Sequence, residues 1–313
     1  EIMPEEIIKG LPVATAMREE IANQVKDLVS TKGIQPKLAV VLVGDDEASR
    51  VYAQSKEKVG EKMGIKVELH IRPASTSEAE VIKLVDDLNA DKNVHGILVE
   101  LPLPNTIQKE NVMNRIDPKK DVDGVHPVNR AYLLGGQEHL ALVPATPLAC
   151  IELIQRSGLE LKGKRVTLVG RGDTVGRPLA SLLITKGRDA TVTICHTRTV
   201  DLAGTVKNAE IVVAAAGFPK LVTADMVSPG QTVIDAGINQ LEDGSLCGDV
   251  DTEPGSQIVR GITPDPVGRG SLTTTVIMPD LLKAINQQNQ ESRRPTSAVS
   301  TAPKRSFDHV RCQ

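Results

Sequence analysis

Aromatic side chains are nearly missing from this chain: 313 residues include two Phe, two Tyr and no Trp. Its cores must therefore be built from Val, Ile, Leu and Ala, and stacking platforms for single-stranded nucleic acid are not expected. An excess of one charge is missing too. Lys and Arg number 37 against 40 Asp and Glu, a net −3, so no general attraction to nucleic acid is implied. No apolar run approaches the length of a membrane span, and no charged-then-apolar secretory signal opens the chain. The four cysteines, Cys150, Cys195, Cys247 and Cys312, lie far apart with no C-x-x-C pair. That spacing reads as free thiols in a reducing compartment, not as a disulfide frame or a metal site.

What is present is ordinary globular composition, 40% apolar and 25% charged, with length enough for two cores. Apolar positions recur at helical spacing over 13–29, 47–64 and 77–89, the last with Ser77 as N-cap and Glu80 as its capping-box partner. Strands read at 37–44, 65–71 and 94–101. Alternation of strands with helices predicts an α/β fold with a mostly parallel, covered sheet. Residues 115–147 are rich in Pro, Asp, Gly and Asn with little periodicity, and read as a functional loop and a boundary. A connecting helix at 148–158 leads into strands at 165–170, 190–196, 210–217 and 232–239, with a helix at 175–187 after the first. This is the logic of a doubly wound nucleotide fold. A final helix over 271–286 is placed to pack back on the first unit, and the residues from 287 on lack apolar periodicity.

The stretch "LVGRGDTVGRPLASLL" (168–183) runs a strand through Gly170, Gly172 and Gly176 into a helix. Glycines let the backbone approach a pyrophosphate, and the helix opening near Val175 would aim free N–H groups at the anion. The plain alternative is a structural tight turn. An NAD site would carry an acid at the end of the next strand to hold the ribose 2′-hydroxyl. That strand instead ends in His196, Thr197 and Arg198. Hydroxyl and cationic groups, with Arg171 in the loop, suit a 2′-phosphate, so NADP is expected. Arg198 also reads as a solvated surface cation.

Several stretches occur together in one order: "VYAQSKEKVGEKMGI" (51–65), "GILVELPLP" (96–104), "DPKKDVDGVHPVN" (117–129), the glycine loop, "CHTRT" (195–199), "DAGIN" (235–239), "GDVD" (248–251) and "ITPDPVGRGSLTT" (262–274). On these the chain, up to about residue 288, resembles the bifunctional methylenetetrahydrofolate dehydrogenase/methenyltetrahydrofolate cyclohydrolase enzymes. The resemblance implies two α/β domains around a cleft, the second a Rossmann-type doubly wound parallel sheet. Residues 1–146, completed by the helix over 271–287, would form the folate-binding domain. Residues 147–270 would hold NADP, and 288–313 would be a disordered tail.

Tyr52 and Lys56 share a helix face, Lys58 does not, and spacing alone reads that helix as a solvated Lys/Glu surface. The resemblance instead puts Lys56 at the one-carbon bridge between two folate nitrogens, with Tyr52 orienting it and stacking beside the pterin. Asp121 and Asp123 read locally as an Asp-rich turn. The resemblance gives Asp123 the pterin's amine and ring N–H, a two-point contact. It also places Val99, Glu100 and Leu101 at the substrate, and the loop of Pro266, Val267, Gly268, Arg269 and Gly270 over the folate. The nicotinamide amide falls to Ile238. A tetrahydrofolate one-carbon substrate, no membrane or nucleic-acid partner, and a homodimer paired through the cofactor domain are implied. Cytoplasm is the expected compartment, or a mitochondrion where a leader was removed ahead of Glu1.

Two departures from the family pattern stand out. Glu100 occupies a position that usually carries Gln, and a carboxylate there would pair with Lys56, hold it as the ammonium and weaken it as a base. Cyclohydrolase activity is therefore expected to fall more than dehydrogenase activity. Val267 replaces a Gly in the folate loop, so a positive φ there would be strained. These departures leave an alternative reading, a catalytically lapsed relative serving as a nucleotide- or folate-binding module.

Overall fold

A computed structural model of the chain describes residues 6–44, 46–264, 266–267 and 271–292. The elements run, in order, β1 (Glu6–Ile7), α1 (Gly10–Lys32), β2 (Lys37–Val43), α2 (Glu47–Lys62), β3 (Lys66–Arg72), α3 (Glu78–Ala90), β4 (Gly96–Val99), α4 (Lys109–Met113), α5 (Pro127–Leu134) and α6 (Ala145–Arg156). They continue with β5 (Arg165–Val169), α7 (Gly176–Leu183), β6 (Thr191–Cys195), α8 (Leu202–Lys207), β7 (Ile211–Ala214), a 3₁₀ turn (Ala224–Met226), β8 (Thr232–Asp235), β9 (Asn239–Gln240), β10 (Leu246–Cys247), α9 (Thr252–Ser256), β11 (Gly261–Ile262) and α10 (Ser271–Ser292).

Two parallel sheets organise the molecule. The first is three-stranded in the order β3-β2-β4. Its central strand, KLAVVLV, is buried along almost its whole length. Leu38 and Val40 enter one core and Ala39, Val41 and Val43 the opposite one, packed with Val81, Val85 and Leu88 of α3. That two-residue alternation into two dry faces is why a parallel strand reads as a continuous apolar run. The second sheet is six-stranded in the order β6-β5-β7-β8-β11-β1, every pair parallel. From β5 onward this is the 2-1-3-4-5 winding, with its switch point between β5 and β7. The antiparallel pair β9–β10 stands apart.

The capping box expected at Ser77 and Glu80 opens α3, and the left-handed Gly33 closes α1. Three expectations are corrected. The stretch 115–147 is not all loop, because α5 lies within it, with Pro127 in its first turn and the His126 ring accepting the Val128 N–H. The last helix does not stop at 287. It continues to Ser292, where the Gln288 side chain donates to the carbonyls of His95 and Lys119, so residues 288–292 are not tail. The chain's first strand, β1, joins the six-stranded sheet rather than the three-stranded one. Helix α10 packs on α1, α2 and α6.

Candidate active site

Sites form where parallel strands end, and two cavities do so here. The first, of about 220 Å³, opens beyond β4. Tyr52 and Lys56 reach it from α2, Leu98, Val99, Glu100 and Leu101 from the end of β4, Asp123 from the following loop and Ala145 from the start of α6. Thr273, Thr274 and Ile277 of α10 complete it. Lys56, 5% exposed, donates from Nζ to Oε1 of Glu100, 9% exposed, at 2.6 Å. The Lys56 ammonium lies 5.5 Å from the centroid of the Tyr52 ring, over its face. The solvated-helix reading therefore fails for Lys56.

The two aspartates of "KKDVDG" part company. Asp121 is fully buried and accepts from the backbone N–H groups of Val125 (3.2 Å) and His126 (2.8 Å) and from Nδ2 of Asn129 (2.8 Å). Burial pushes it up to about 6 against those donors. Its work is to fold the loop. Asp123 lines the cavity, and its carboxyl is pushed up to about 7 by burial and by repulsion from Asp121 and Glu100, with Lys56 and the Ala145 N–H acting the other way. Lys120 is buried beside them and donates to the carbonyls of Leu88, Asn89 and Asp91, closing the C-terminal end of α3.

The second cavity, of about 860 Å³, lies over the ends of β5, β6 and β7. Gly170, Arg171, Gly172, His196 and Thr197 line it. The three glycines differ in what a side chain on each would meet. Gly170 has φ +123°, and a Cβ on it would collide with the Ala215 carbonyl. Gly176 lets α7 pack on the loop, since a Cβ there would collide with the Gly170 carbonyl and Arg171 Cα. Gly172 lines the cavity, and a Cβ on it would meet nothing within 4 Å. Among the described residues no Asp or Glu lines the cavity.

Other expected residues stand elsewhere. Gly176 is buried under the loop and Val175 packs against the core, so neither faces the cavity. Arg198 is exposed beside the cavity, its N–H donated to Nδ1 of His196 at 3.1 Å, and Ile238 is 41% exposed outside it. Pro266 and Val267 line a different cavity, of about 400 Å³, with Ile8, Leu153 and Leu272. Val267 is part of the core and is not among the positive-φ residues, so the expected strain does not arise. Gly268, Arg269 and Gly270 lie outside the described residues.

Sequence reasoning missed Leu98, Ala145, Thr273, Thr274 and Ile277 in the first cavity, and Arg177, Thr199, Leu202, Ala216, Gly217, Phe218 and Leu221 in the second. The switch-point rule would have marked residues 215–218, which follow β7. Cys150, Cys195 and Cys247 are free thiols. Among the described residues no His/Cys/Asp/Glu group is placed to hold a metal ion, and no helix is long and apolar enough to cross a membrane.

The chain was compared with known proteins. Residues 8–123 match the family model of the tetrahydrofolate dehydrogenase/cyclohydrolase catalytic domain, and residues 144–289 that of its NAD(P)-binding domain. Bifunctional protein FolD 2 of Desulfitobacterium hafniense is 51% identical over 92% of this chain and 99% of its own length. The crystal structure of the bifunctional FolD dehydrogenase/cyclohydrolase from Campylobacter jejuni is 38% identical, with a TM-score of 0.84, over 90% of this chain and 99% of that one. The FolD of Trypanosoma brucei, solved with NADP and an inhibitor, is 34% identical at a TM-score of 0.84, over 92% and 100%. With both family models matched across most of its length, the chain belongs to the tetrahydrofolate dehydrogenase/cyclohydrolase family.

Proposed function

We propose that this chain oxidises 5,10-methylenetetrahydrofolate to the 5,10-methenyl cation with NADP, and hydrolyses that cation to 10-formyltetrahydrofolate. The observation that carries the reading is the first cavity, where Tyr52, Lys56, Glu100 and Asp123 converge from three separate stretches of sequence. Asp123 accepts the pterin's exocyclic amine and ring N–H, fixing the bicycle so that the one-carbon bridge comes to Lys56. NADP suits the second cavity, with its glycine cradle, its cationic and hydroxyl turn and no acid on its wall, and the Trypanosoma relative holds it. Gly170 and Gly172, with Arg171, His196 and Thr197, would hold the cofactor, and NADP, when bound, supplies the hydride acceptor.

For the oxidation the folate nitrogens stabilise the cationic carbon, so the protein's contribution is proximity and orientation. The hydrolysis asks more of the side chains. Water adds to the methenyl carbon and loses a proton, then the C–N5 bond breaks as N5 takes up a proton and the carbinol hydroxyl gives its own up to form the formyl C=O. Lys56 is placed to pass these protons, oriented by Tyr52 and Glu100. Because Glu100 holds Lys56 through an ion pair instead of a neutral hydrogen bond, hydrolysis is the weaker of the two activities. The subunits pair as a homodimer, and the expected compartment is the cytoplasm.

The test is spectrophotometric: formation of methenyltetrahydrofolate from the methylene compound with NADP and then with NAD, and decay of added methenyltetrahydrofolate. Turnover faster with NADP supports the reading. Folded protein without turnover on either cofactor would return the chain to the lapsed-module alternative.

A further inference from the structure

The second cavity has two unlike kinds of lining. The glycine loop and Arg177 are polar or cationic, while Leu202, Leu221 and Phe218 are apolar. Phe218 is one of only two phenylalanines in the sequence, and it is 61% exposed. A large exposed aromatic side chain on a loose loop would gain by folding inward. This one is held out.

The restraint is a buried carboxylate. Asp249, fully buried, accepts four N–H groups: Ala216 (2.5 Å) and Gly217 (2.9 Å) on Oδ2, Phe218 (3.0 Å) and Nδ2 of Asn239 (2.8 Å) on Oδ1. Three consecutive backbone donors on one carboxylate fix the loop's curvature. Farther along, Lys220 N–H donates to the Gly248 carbonyl and Val222 N–H to that of Asp249, so the loop is stitched along its length to residues 248–250. Asp249 is itself placed by Asp235, which accepts the N–H groups of Gly237, Asp249 and Val250, each at 3.0 Å. The packing tolerates no side chain: a Cβ at Gly237 would collide with the Asp249 carboxylate, and one at Gly248 with that of Asp235.

We propose that Phe218 is the stacking platform for the adenine of the cofactor, and that Asp249 is the positioning residue that holds it there. The proposal rests on the reading of this cavity as a nucleotide site. In a doubly wound sheet the nucleotide crosses the strand ends at the switch point. The turn after β6 (His196–Thr199) and the loop after β7 (Ala216–Phe218) flank one half of that crossing. His196, Thr197 and Thr199 offer polar contacts, while Phe218, Leu202 and Leu221 offer a flat apolar surface for a purine.

Isothermal titration with NADP, adenosine 2′,5′-bisphosphate and nicotinamide mononucleotide separates the halves. Phe218→Ala is expected to weaken NADP and the adenosine bisphosphate by the same factor, about 5- to 100-fold, and to leave the mononucleotide unchanged. Phe218→Tyr, which keeps the ring, restores wild-type affinity for both. Asp249→Asn, which turns an amide N–H toward backbone donors, reproduces the pattern of Phe218→Ala while folate binding stays near wild type. Should Asp249→Asn not fold, the Phe218 pair still decides the platform. Equal affinity of Phe218→Ala and wild type for the adenosine bisphosphate overturns the proposal, as does an equal loss for the mononucleotide. A wild-type protein that binds none of the three overturns the nucleotide reading itself.

Discussion

Glu100→Gln isolates the feature that sets this site apart. The wild-type pair is an ion pair, Nζ to Oε1 at 2.6 Å, between side chains 5% and 9% exposed as whole residues. The amide keeps the length and shape of the acid and still offers an oxygen to Lys56. What changes is the charge of the acceptor. The donor stays charged, so the bond remains in the charge-assisted range of about 1.5 to 3 kcal/mol, and losing the acceptor's charge moves it down that range by about 1 to 1.4 kcal/mol. That is roughly a factor of 5 to 10. The proton transfers of hydrolysis feel it, and hydride removal, which rests on orientation, does not. The ratio of cyclohydrolase to dehydrogenase rate is therefore expected to rise about 5- to 10-fold. Both rates are read in one cuvette, from formation and decay of methenyltetrahydrofolate. A second readout comes from Asp123, which Glu100 helps to push up. In the variant, the pH at which folate affinity reaches half its maximum should move down from about 7. An unchanged rate ratio together with an unmoved pH midpoint would refute the reasoning.

Other outcomes follow from the same geometry. In the proposed role Asp123 would accept pterin N–H groups only as the carboxylate, and burial pushes its carboxyl up to about 7. Folate affinity should rise up to about tenfold per pH unit below that value and level off above it, and Asp123→Asn should be weak and flat in the same titration. Gly170→Ala puts a Cβ at φ +123° against the Ala215 carbonyl, and should lower stability by roughly 2 to 4 kcal/mol in urea unfolding. Gly172→Ala meets open space, so its unfolding midpoint should match wild type. Asp280, fully enclosed and pushed up to about 7 mainly by burial, accepts the Val143 N–H. Its folded value lies above the unfolded one, so its contribution to stability is complete below about pH 4 and lost as pH rises through about 7. Asp280→Asn, which keeps an acceptor but does not titrate, should make stability fall less between those limits.

Much of the fold could be read from local chemistry, and what could not has identifiable causes. The Ser77–Glu80 capping box and the apolar run of 37–43 are complete within their own windows, so periodicity and capping found them. Helix α5 spans only eight residues and buries Asn129 and Leu133, too few for a period to emerge. The end of α10 holds no apolar residue after Ile285 in its described length. It is fastened by amide side chains, Gln287 to the Leu140 carbonyl and Gln288 to those of His95 and Lys119, and a hydrophobic pattern cannot see carbonyl anchors. The pairing of β1 with β11 joins opposite ends of the chain through two residues each. No window along the sequence contains both.

The site shows the same limit more sharply, because residue type does not say where a polar group spends its bonding capacity. Lys56 and Lys120 are both 5% exposed, and neither differs in its local sequence from a surface lysine. Lys120 spends its ammonium on three carbonyls at the end of α3, and is structural. Lys56 meets Glu100 across a cavity wall, where a ligand can come between partners that are side chains and not backbone. Asp121 and Asp123 sit two residues apart. The first gives its oxygens to three local donors, while the second, held by the Ala145 N–H at the start of α6, lines the cavity. A carboxylate satisfied by its own loop has little left for a substrate, and one pushed up by two neighbouring acids gains most from new donors. That difference, which is one of neighbours and not of sequence, is what leaves Asp123, and not Asp121, open to the donors of a ligand.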